Sequence, residues 1–244
     1  MKEQFDFCVN GLNIHAEFDA QDTRQIFLPL LQRLTALQQE KNRRIAVFLA
    51  APPAAGKSTL CCYLEHLSRS TPGLTPIQTV GIDGFHYTND YLASHFIVRG
   101  GETIPLSRVK GGPEIYDVEK LASLLERLNE DGQKWPMYSR RIHNPVENAI
   151  EIREKILLLE GNWLLLDEAP WNALRCDYSI FLAAGDESQL ERVVQRKMMG
   201  GFSEADAREF VKGNDWPNIQ RCMAHSRRGN LNIAPGTNGA LEEI

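Results

Sequence analysis

The sequence predicts an α/β fold: three α/β/α layers around a mostly parallel sheet, with a small N-terminal β-hairpin and a lid/substrate insertion. Three observations predict it. Continuous apolar runs such as Arg44-Ile-Ala-Val-Phe-Leu-Ala50 mark strands buried on both faces. Helical periodicities alternate with those runs, the pattern of βαβ units. A Pro/Ala/Gly loop ending in Gly56-Lys57-Ser58-Thr59 joins the first run to a helix.

Taken in order, Phe5, Phe7 and Val9 alternate, as do Leu12, Ile14, Ala16 and Phe18, with Asn10-Gly11 between them. Asn-Gly between alternating runs is a hairpin signal, because both turn positions need positive φ. Ile26, Phe27, Leu30, Leu31, Leu34 and Leu37 then recur at helical spacing. Pro29 is tolerated only near a first turn, so that helix is expected to start around Asp22 to Arg24. After strand 44–50 and its loop, a helix is expected from Lys57 to about Ser70. Further buried strands are expected at Ile77–Ile82, Lys155–Glu160 and Tyr178–Ala184, and helices at 117–130, 187–199 and 203–226. The stretch 84–116 is rich in Gly and Pro with little periodicity, as lids and substrate-binding insertions are. These readings divide the chain into 1–43, a hairpin and helix packed on the core, and 44–244, the main domain. Within the latter, 84–150 is the expected substrate-binding insertion and 187–226 the lid and C-terminal helices.

Bulk composition narrows the class. The chain has 244 residues, 43% of them hydrophobic, enough to bury a core. A net charge of -5 leaves no basic surplus to neutralise a polyanion, so no nucleic-acid partner is expected. The basic residues that do cluster, Arg140-Arg141 with Arg192, Arg196 and Lys197, suit a small anionic ligand. Five cysteines form no C-x-x-C pair and no metal-ligand spacing, which fits a reducing compartment. Cys61-Cys62 read as helix-packing residues. No run approaches ~18 apolar residues. A cytoplasmic protein with no membrane partner is expected.

The segment Ala51-Pro-Pro-Ala-Ala-Gly56-Lys57-Ser58-Thr59 carries the strongest chemical signal. It follows the P-loop pattern G-x-x-x-x-G-K-[ST] with Ala51 in place of the first glycine. In that pattern backbone N–H groups of 54–59 (Ala54, Ala55, Gly56, Lys57, Ser58 and Thr59) curl around a phosphate at a helix N-terminus. Lys57 neutralises the β/γ oxygens and the Ser58 hydroxyl ligates Mg²⁺, so ATP and Mg²⁺ are the expected cofactors. Asp83, at the end of the second apolar run, can accept the proton of an attacking hydroxyl, organise the metal's water shell, or simply begin a turn with Gly84. Glu160 ends the third run at the same sheet edge and can bind Mg²⁺, or be a solvated strand end. Tyr138, Arg140, Arg141 and His143 fall in a short segment read as irregular. There they can touch a polar ligand or form a solvated surface. Arg192 and Arg196 lie four apart on one helix face, as a solvated stripe or as a lid contributing charge.

These segments resemble the phosphoribulokinase/uridine kinase family of P-loop kinases, in particular its nucleoside-kinase-like branch with the fructose-transport-type and pantothenate kinases. The likeness runs from about residue 44 to the end. It rests on the loop, Asp-Gly-Phe-His (83–86), Arg-Val-Lys-Gly-Gly-Pro-Glu-Ile-Tyr-Asp (108–117), Tyr-Ser-Arg-Arg-Ile-His-Asn-Pro-Val (138–146), Glu-Gly-Asn-Trp-Leu-Leu-Leu-Asp-Glu-Ala-Pro-Trp (160–171), and Asn214-Asp215 with Asn218. It implies a P-loop NTPase fold, with Asp83 as general base and Ser58 and Glu160 holding the metal. Lys57, Arg192 and Arg196 would act on the transferring phosphate, the arginines from a closing lid. Phe85, His86, Tyr138, Arg140, His143 and Asn162 would meet the acceptor. Ala51 and Val109-Lys110 depart from the family's usual residues. A homodimer is left open.

The expected activity is ATP-dependent phosphorylation of a hydroxyl on a small metabolite: a nucleoside, a sugar or a pantothenate-like alcohol. A guanine-nucleotide switch is disfavoured because no Asn-Lys-x-Asp stretch occurs. The alternative is a regulatory or energy-coupling ATPase without an acceptor, which would need neither Asp83 nor the Tyr138–His143 segment. A degenerate, non-catalytic nucleotide binder is disfavoured because Lys57, Ser58, Asp83 and Glu160 are all present.

Overall fold

Alternating apolar side chains at the start of the chain build a hairpin: β1 (Lys2–Val9) pairs antiparallel with β2 (Leu12–Asp19), Lys2 opposite Asp19 and Val9 opposite Leu12. The computed structural model describes residues 2–9, 12–184, 187–236 and 240–244, so the expected Asn10-Gly11 turn lies outside the described residues. One hairpin face carries Phe5 and Phe18. Both rings meet Tyr63, the Phe18 ring stacked at 3.8 Å between centroids.

The helix that follows begins earlier than Pro29 suggests. Asp19 caps it by accepting from the Gln21 amide at 2.7 Å. A turn at Ala20–Asp22 and a π-helical stretch at Thr23–Phe27 then precede α1 (Leu28–Lys41). Proline cannot donate to the carbonyl a turn earlier, and the wider π turn lies where that bond is missing. Asn42, at φ +48°, ends α1 in the left-handed conformation.

The core is the alternation of strand and helix. It comprises β3 (Ile45–Ala50), α2 (Lys57–Ser70), β4 (Ile77–Gly81), α3 (Asn89–Ser94), β5 (Phe96–Arg99), β6 (Glu102–Pro105) and α4 (Val118–Glu126). Next come β7 (Lys134–Ser139), β8 (Asn144–Glu151), β9 (Ile156–Gly161), β10 (Tyr178–Leu182), α5 (Glu187–Met199), α6 (Glu204–Phe210), α7 (Trp216–His225), β11 (Leu231–Pro235) and β12 (Leu241–Glu243). The main sheet runs β12-β11-β10-β3-β9-β4, parallel throughout except β12. All six residues of β3 are buried, as a central parallel strand requires. Its Ile45, Val47 and Leu49 face α1 and α2, in the same cluster as Phe27, Leu34 and Leu64. Ala46, Phe48 and Ala50 face the opposite layer with Trp135, Trp163 and Trp171. A third, separate cluster holds Val193, Val194, Ala207, Val211 and Ile219 of α5 to α7 and touches Ala54 of the loop.

Several expectations need correction. The second strand ends at Gly81, and Ile82–Phe85 is a 3₁₀ turn that carries Asp83 beyond the sheet edge. The segment 138–146 is not irregular: it spans the ends and turn of the β7–β8 hairpin. The stretch 84–116 contains α3 and the β5–β6 hairpin, whose Gly100-Gly101 turn has φ of +61° and +84°. The helix expected at 203–226 is α6 and α7 joined by a π turn at Val211–Asp215. Among the described residues no helix is long and apolar enough to cross a membrane.

Candidate functional site

Where β3 ends, the chain turns through Ala51 and Pro52, both buried, and reaches Ala54 at φ +58° and Gly56 at φ +89°. Gly56 is the residue before α2, and no side chain caps that helix. The first N–H groups of α2 therefore have no intrahelical acceptor and present a partial positive charge, an anion cradle. Ala51 stands where the pattern has glycine. Its side chain is fully buried in the core, so the exchange leaves the cradle side of the loop intact.

Beside the cradle, neighbouring strands deliver two carboxylates. Glu160, near the end of β9, accepts from Ser58 Oγ at 2.8 Å and lies 4.0 Å from Lys57 Nζ. Burial pushes its carboxyl above the usual range against the pull of Lys57, and the negative charge of Asp83 adds to the rise. Ser58 and Glu160 are adjacent hard oxygen donors. Among the described residues no group of three or more His, Cys, Asp or Glu gathers into a metal cage. That donor set fits Mg²⁺, which keeps several waters and takes one or two protein oxygens, better than it fits Zn²⁺.

Asp83 projects from the 3₁₀ turn into the same cleft, about 350 Å³ in volume, as Lys57, Ser58, Glu160 and Arg196. The Tyr116 hydroxyl reaches it at 3.4 Å. Burial, then the charges of Asp83 and Glu160, hold that phenol well above its usual range, so it stays protonated. His86 stacks on Tyr116 at 4.2 Å, and its Nδ1 donates to the Asp83 carbonyl at 2.7 Å. Burial lowers the His86 pKa, which keeps the ring neutral near pH 7.

The β7–β8 hairpin seats this turn. Trp135 Nε1 donates to the Gly81 carbonyl at 3.0 Å, and a Cβ on Gly84 would lie 2.2 Å from the Pro136 oxygen. Only glycine permits that approach. Arg140 extends from the same hairpin onto the cleft wall, and Tyr138 lines an adjoining pocket with Asp83, its ring meeting His86 edge-on at 5.0 Å.

Three sequence-predicted residues, Phe85, His143 and Arg192, do not line the cleft. Phe85 is buried in the core, its ring T-shaped against Trp135. In a 3₁₀ turn residues three apart share a face, so Phe85 follows Ile82 into the core and away from Asp83. His143 sits exposed in the β7–β8 turn at φ +51°, where its carbonyl accepts from Asn89 Nδ2 at 2.8 Å. Arg192 donates through Nε to the Ala54 carbonyl at 3.2 Å, so it grips the loop's backbone. Gln189 does the same to the Pro53 carbonyl at 2.5 Å. Ala54 and Asn162 line the cleft, and the Asn162 Oδ1 atom is buried without a hydrogen bond. Ala55 lies in the loop and Thr59 in the first turn of α2.

No family model matches the chain. The uncharacterised protein YggC of Escherichia coli (strain K12) is 40% identical over 231 residues, covering 93% of this chain and 94% of that protein. A pantothenate kinase of Lactococcus lactis subsp. cremoris (strain MG1363) is 32% identical over 206 residues, 74% of this chain and 63% of that one. The crystal structure of a putative fructose transport system kinase from Silicibacter sp. TM1040 superposes with a TM-score of 0.69 at 29% identity, over 82% of this chain and 98% of that chain. The chain belongs to the phosphoribulokinase/uridine kinase-like family of P-loop kinases.

In this P-loop kinase the cleft also contains Lys197, expected as part of the basic cluster, and Asn218, which was expected only as part of a family-like segment. Lys197, on α5, pairs with Asp215 at 3.3 Å and lies 4.0 Å from the centroid of the Phe210 ring. Asn218 is almost fully buried beside Gly111, whose φ is +89°. The segment around Gly111 is clamped by Trp163 Nε1 on the Gly111 carbonyl and Asn214 Nδ2 on the Lys110 carbonyl, at 3.1 and 3.0 Å. The blocks 108–117 and 214–218 were visible in the sequence as family-like segments. Their polar, turn-forming character gave no hint of which side chains turn inward.

Proposed function

We propose that this kinase transfers the γ-phosphate of ATP to a hydroxyl of a small metabolite: a nucleoside, a sugar or a pantothenate-like alcohol. The observation that carries the reading is the placement of Asp83 in one cleft with Lys57, Ser58 and Arg196. A nucleotide switch would need the cradle alone. A transfer enzyme needs a base across from it.

The cradle of α2 and Lys57 bind the β/γ oxygens, and Ser58 and Glu160 would hold Mg²⁺. The metal, when bound, neutralises charge on the phosphate oxygens. Asp83 takes the proton of the acceptor hydroxyl as that oxygen forms its bond to the γ-phosphorus. The bond between that phosphorus and the β–γ bridging oxygen breaks, and ADP leaves with the electron pair. Arg196 faces the same space and stabilises the spreading charge, so positioning and electrostatics supply most of the acceleration. Arg192 and Gln189 tie the lid helix to the loop backbone and orient that arginine.

The test is ATP consumption with Mg²⁺ against a panel of nucleosides, sugars and coenzyme precursors, with mass detection of products. Acceptor-dependent ADP formation with a phosphorylated alcohol supports the reading. ATP hydrolysis indifferent to every alcohol would favour the acceptor-free ATPase instead.

A further inference from the structure

Beyond the phosphate cleft, a second lobe of about 340 Å³ continues past Asp83, lined by Tyr138, Asn89, Lys110 and Arg140 among others. Its charges do not cancel. Lys197 is matched by Asp215 at 3.3 Å. Asp83 is needed free as the base. Lys110 and Arg140 remain, and among the described residues neither has a carboxylate within ion-pair distance.

Lys110 is nevertheless held in place. Its Nζ donates to Asn89 Oδ1 at 3.0 Å, while the Asn89 amide nitrogen donates to Asn144 Oδ1 at 2.9 Å and its Nδ2 to the His143 carbonyl. Three separate segments are thereby tied around a cation that receives no charge compensation from the protein. A neutral amide partner orients an ammonium without neutralising it, leaving donors for a ligand. Lys110 and Asn89 line this lobe and not the phosphate cleft, whereas Arg140 lines both. The two cations therefore flank the acceptor's space, and Lys57 and Arg196 serve the nucleotide's.

We propose that the acceptor is an anionic alcohol, whose carboxylate or phosphate is held by Lys110 and Arg140 while its hydroxyl faces Asp83. The inference rests on the kinase reading above and adds the acceptor's charge. It also gives Arg140 a second use: a cation at the junction of the two lobes offsets the repulsion between an anionic acceptor and the nucleotide phosphates. The lobe's volume fits a small metabolite.

The experiment compares matched acceptors that differ in charge: pantothenate against pantothenamide for the carboxylate, ribose 5-phosphate against ribose for the phosphate, and uridine as a neutral nucleoside. In at least one pair the charged member is expected to show kcat/KM at least about tenfold higher, the scale of one charge-assisted hydrogen bond. Arg140→Met and Lys110→Met should each reduce that preference about tenfold, mainly through the acceptor KM, with the ATP KM within a few-fold. Raising ionic strength should erode it as well. Both side chains are exposed, so thermal melting of each variant should match the wild type and separates a folding defect from a binding one. Equal or better turnover of the neutral members, or a preference that survives both substitutions, overturns the inference and leaves the kinase reading standing. Consumption of ATP with no phosphorylated alcohol from any member overturns both.

Discussion

Gly84→Ala isolates the link between the fold and the position of the base. A Cβ at residue 84 would stand 2.2 Å from the Pro136 oxygen, 2.4 Å from its carbonyl carbon and 2.8 Å from the Met137 nitrogen. Ordinary carbon–oxygen contact begins about 1 Å farther out, so one partner must retreat by about that distance. All three atoms are backbone, so no side chain can swing aside. The β7 strand is fixed by its pairing with β8 and by Trp135 on the Gly81 carbonyl. Such overpacking costs about 1–3 kcal/mol, or a fall in Tm of about 2–12 °C for a chain of this size. The turn carrying Asp83 is the softer partner, and a 1 Å misplacement of a reacting group costs on the order of 10²-fold in rate. The assay is kcat/KM for phosphoryl transfer beside a thermal melt, with Gly213→Ala as control. There no atom lies within 4 Å of the added carbon, and little effect on either readout is expected. Wild-type Tm and rate in Gly84→Ala would refute the claim that the hairpin sets the position of Asp83.

Lys57→Ala should abolish ATP-dependent turnover and leave the melting temperature near the wild type, because the side chain contacts Glu160 at only 4.0 Å; retained turnover would contradict the phosphate role. Asp83→Asn should keep ATP affinity within a few-fold and lower kcat by about 10²–10⁴, the usual contribution of a general base; collapse of ATP binding with residual kcat would make Asp83 a metal-organising residue. Asp177 opposes the raising effect of burial through hydrogen bonds from Arg43 and the Ala46 amide, and its pKa is lowered. A lowered folded pKa contributes stability above the unfolded value near 3.8 that is lost as pH falls through the folded one. Asp177→Asn should therefore cost about 1.5–3 kcal/mol at pH 7 in urea titrations, and the gap to the wild type should close below about pH 4. A gap independent of pH would remove the ionic explanation.

What the sequence reveals and what it conceals follow from local physics. The runs that become β3, β9 and β10 are apolar on both faces, and α2 begins at Lys57 as its loop pattern requires, because burial and phosphate geometry constrain consecutive residues. The β7–β8 hairpin is different. It carries Arg140, Arg141 and His143 at its turn and a register shift between Trp135 and Met137, so alternation is broken. Its contacts with Gly84 and Gly81 come from a segment about fifty residues away and leave no local trace. The β5–β6 hairpin did carry a local signal, Gly100-Gly101 between short apolar runs, with both residues at positive φ. The phosphate half of the site is local in sequence and was readable. The acceptor half is assembled from Asn89, Lys110, Arg140 and Asn214–Asn218, long-range neighbours with no periodicity, and inward placement separates His86 from Phe85 only once the 3₁₀ turn is known.

The most direct measurement uses ATP labelled at the γ-phosphate, supplied with Mg²⁺ and the acceptor panel, and follows the label. Label in a phosphate ester of an alcohol, lost in Asp83→Asn, is the expected result. Label released only as inorganic phosphate, at a rate indifferent to every alcohol, would contradict transfer to an acceptor.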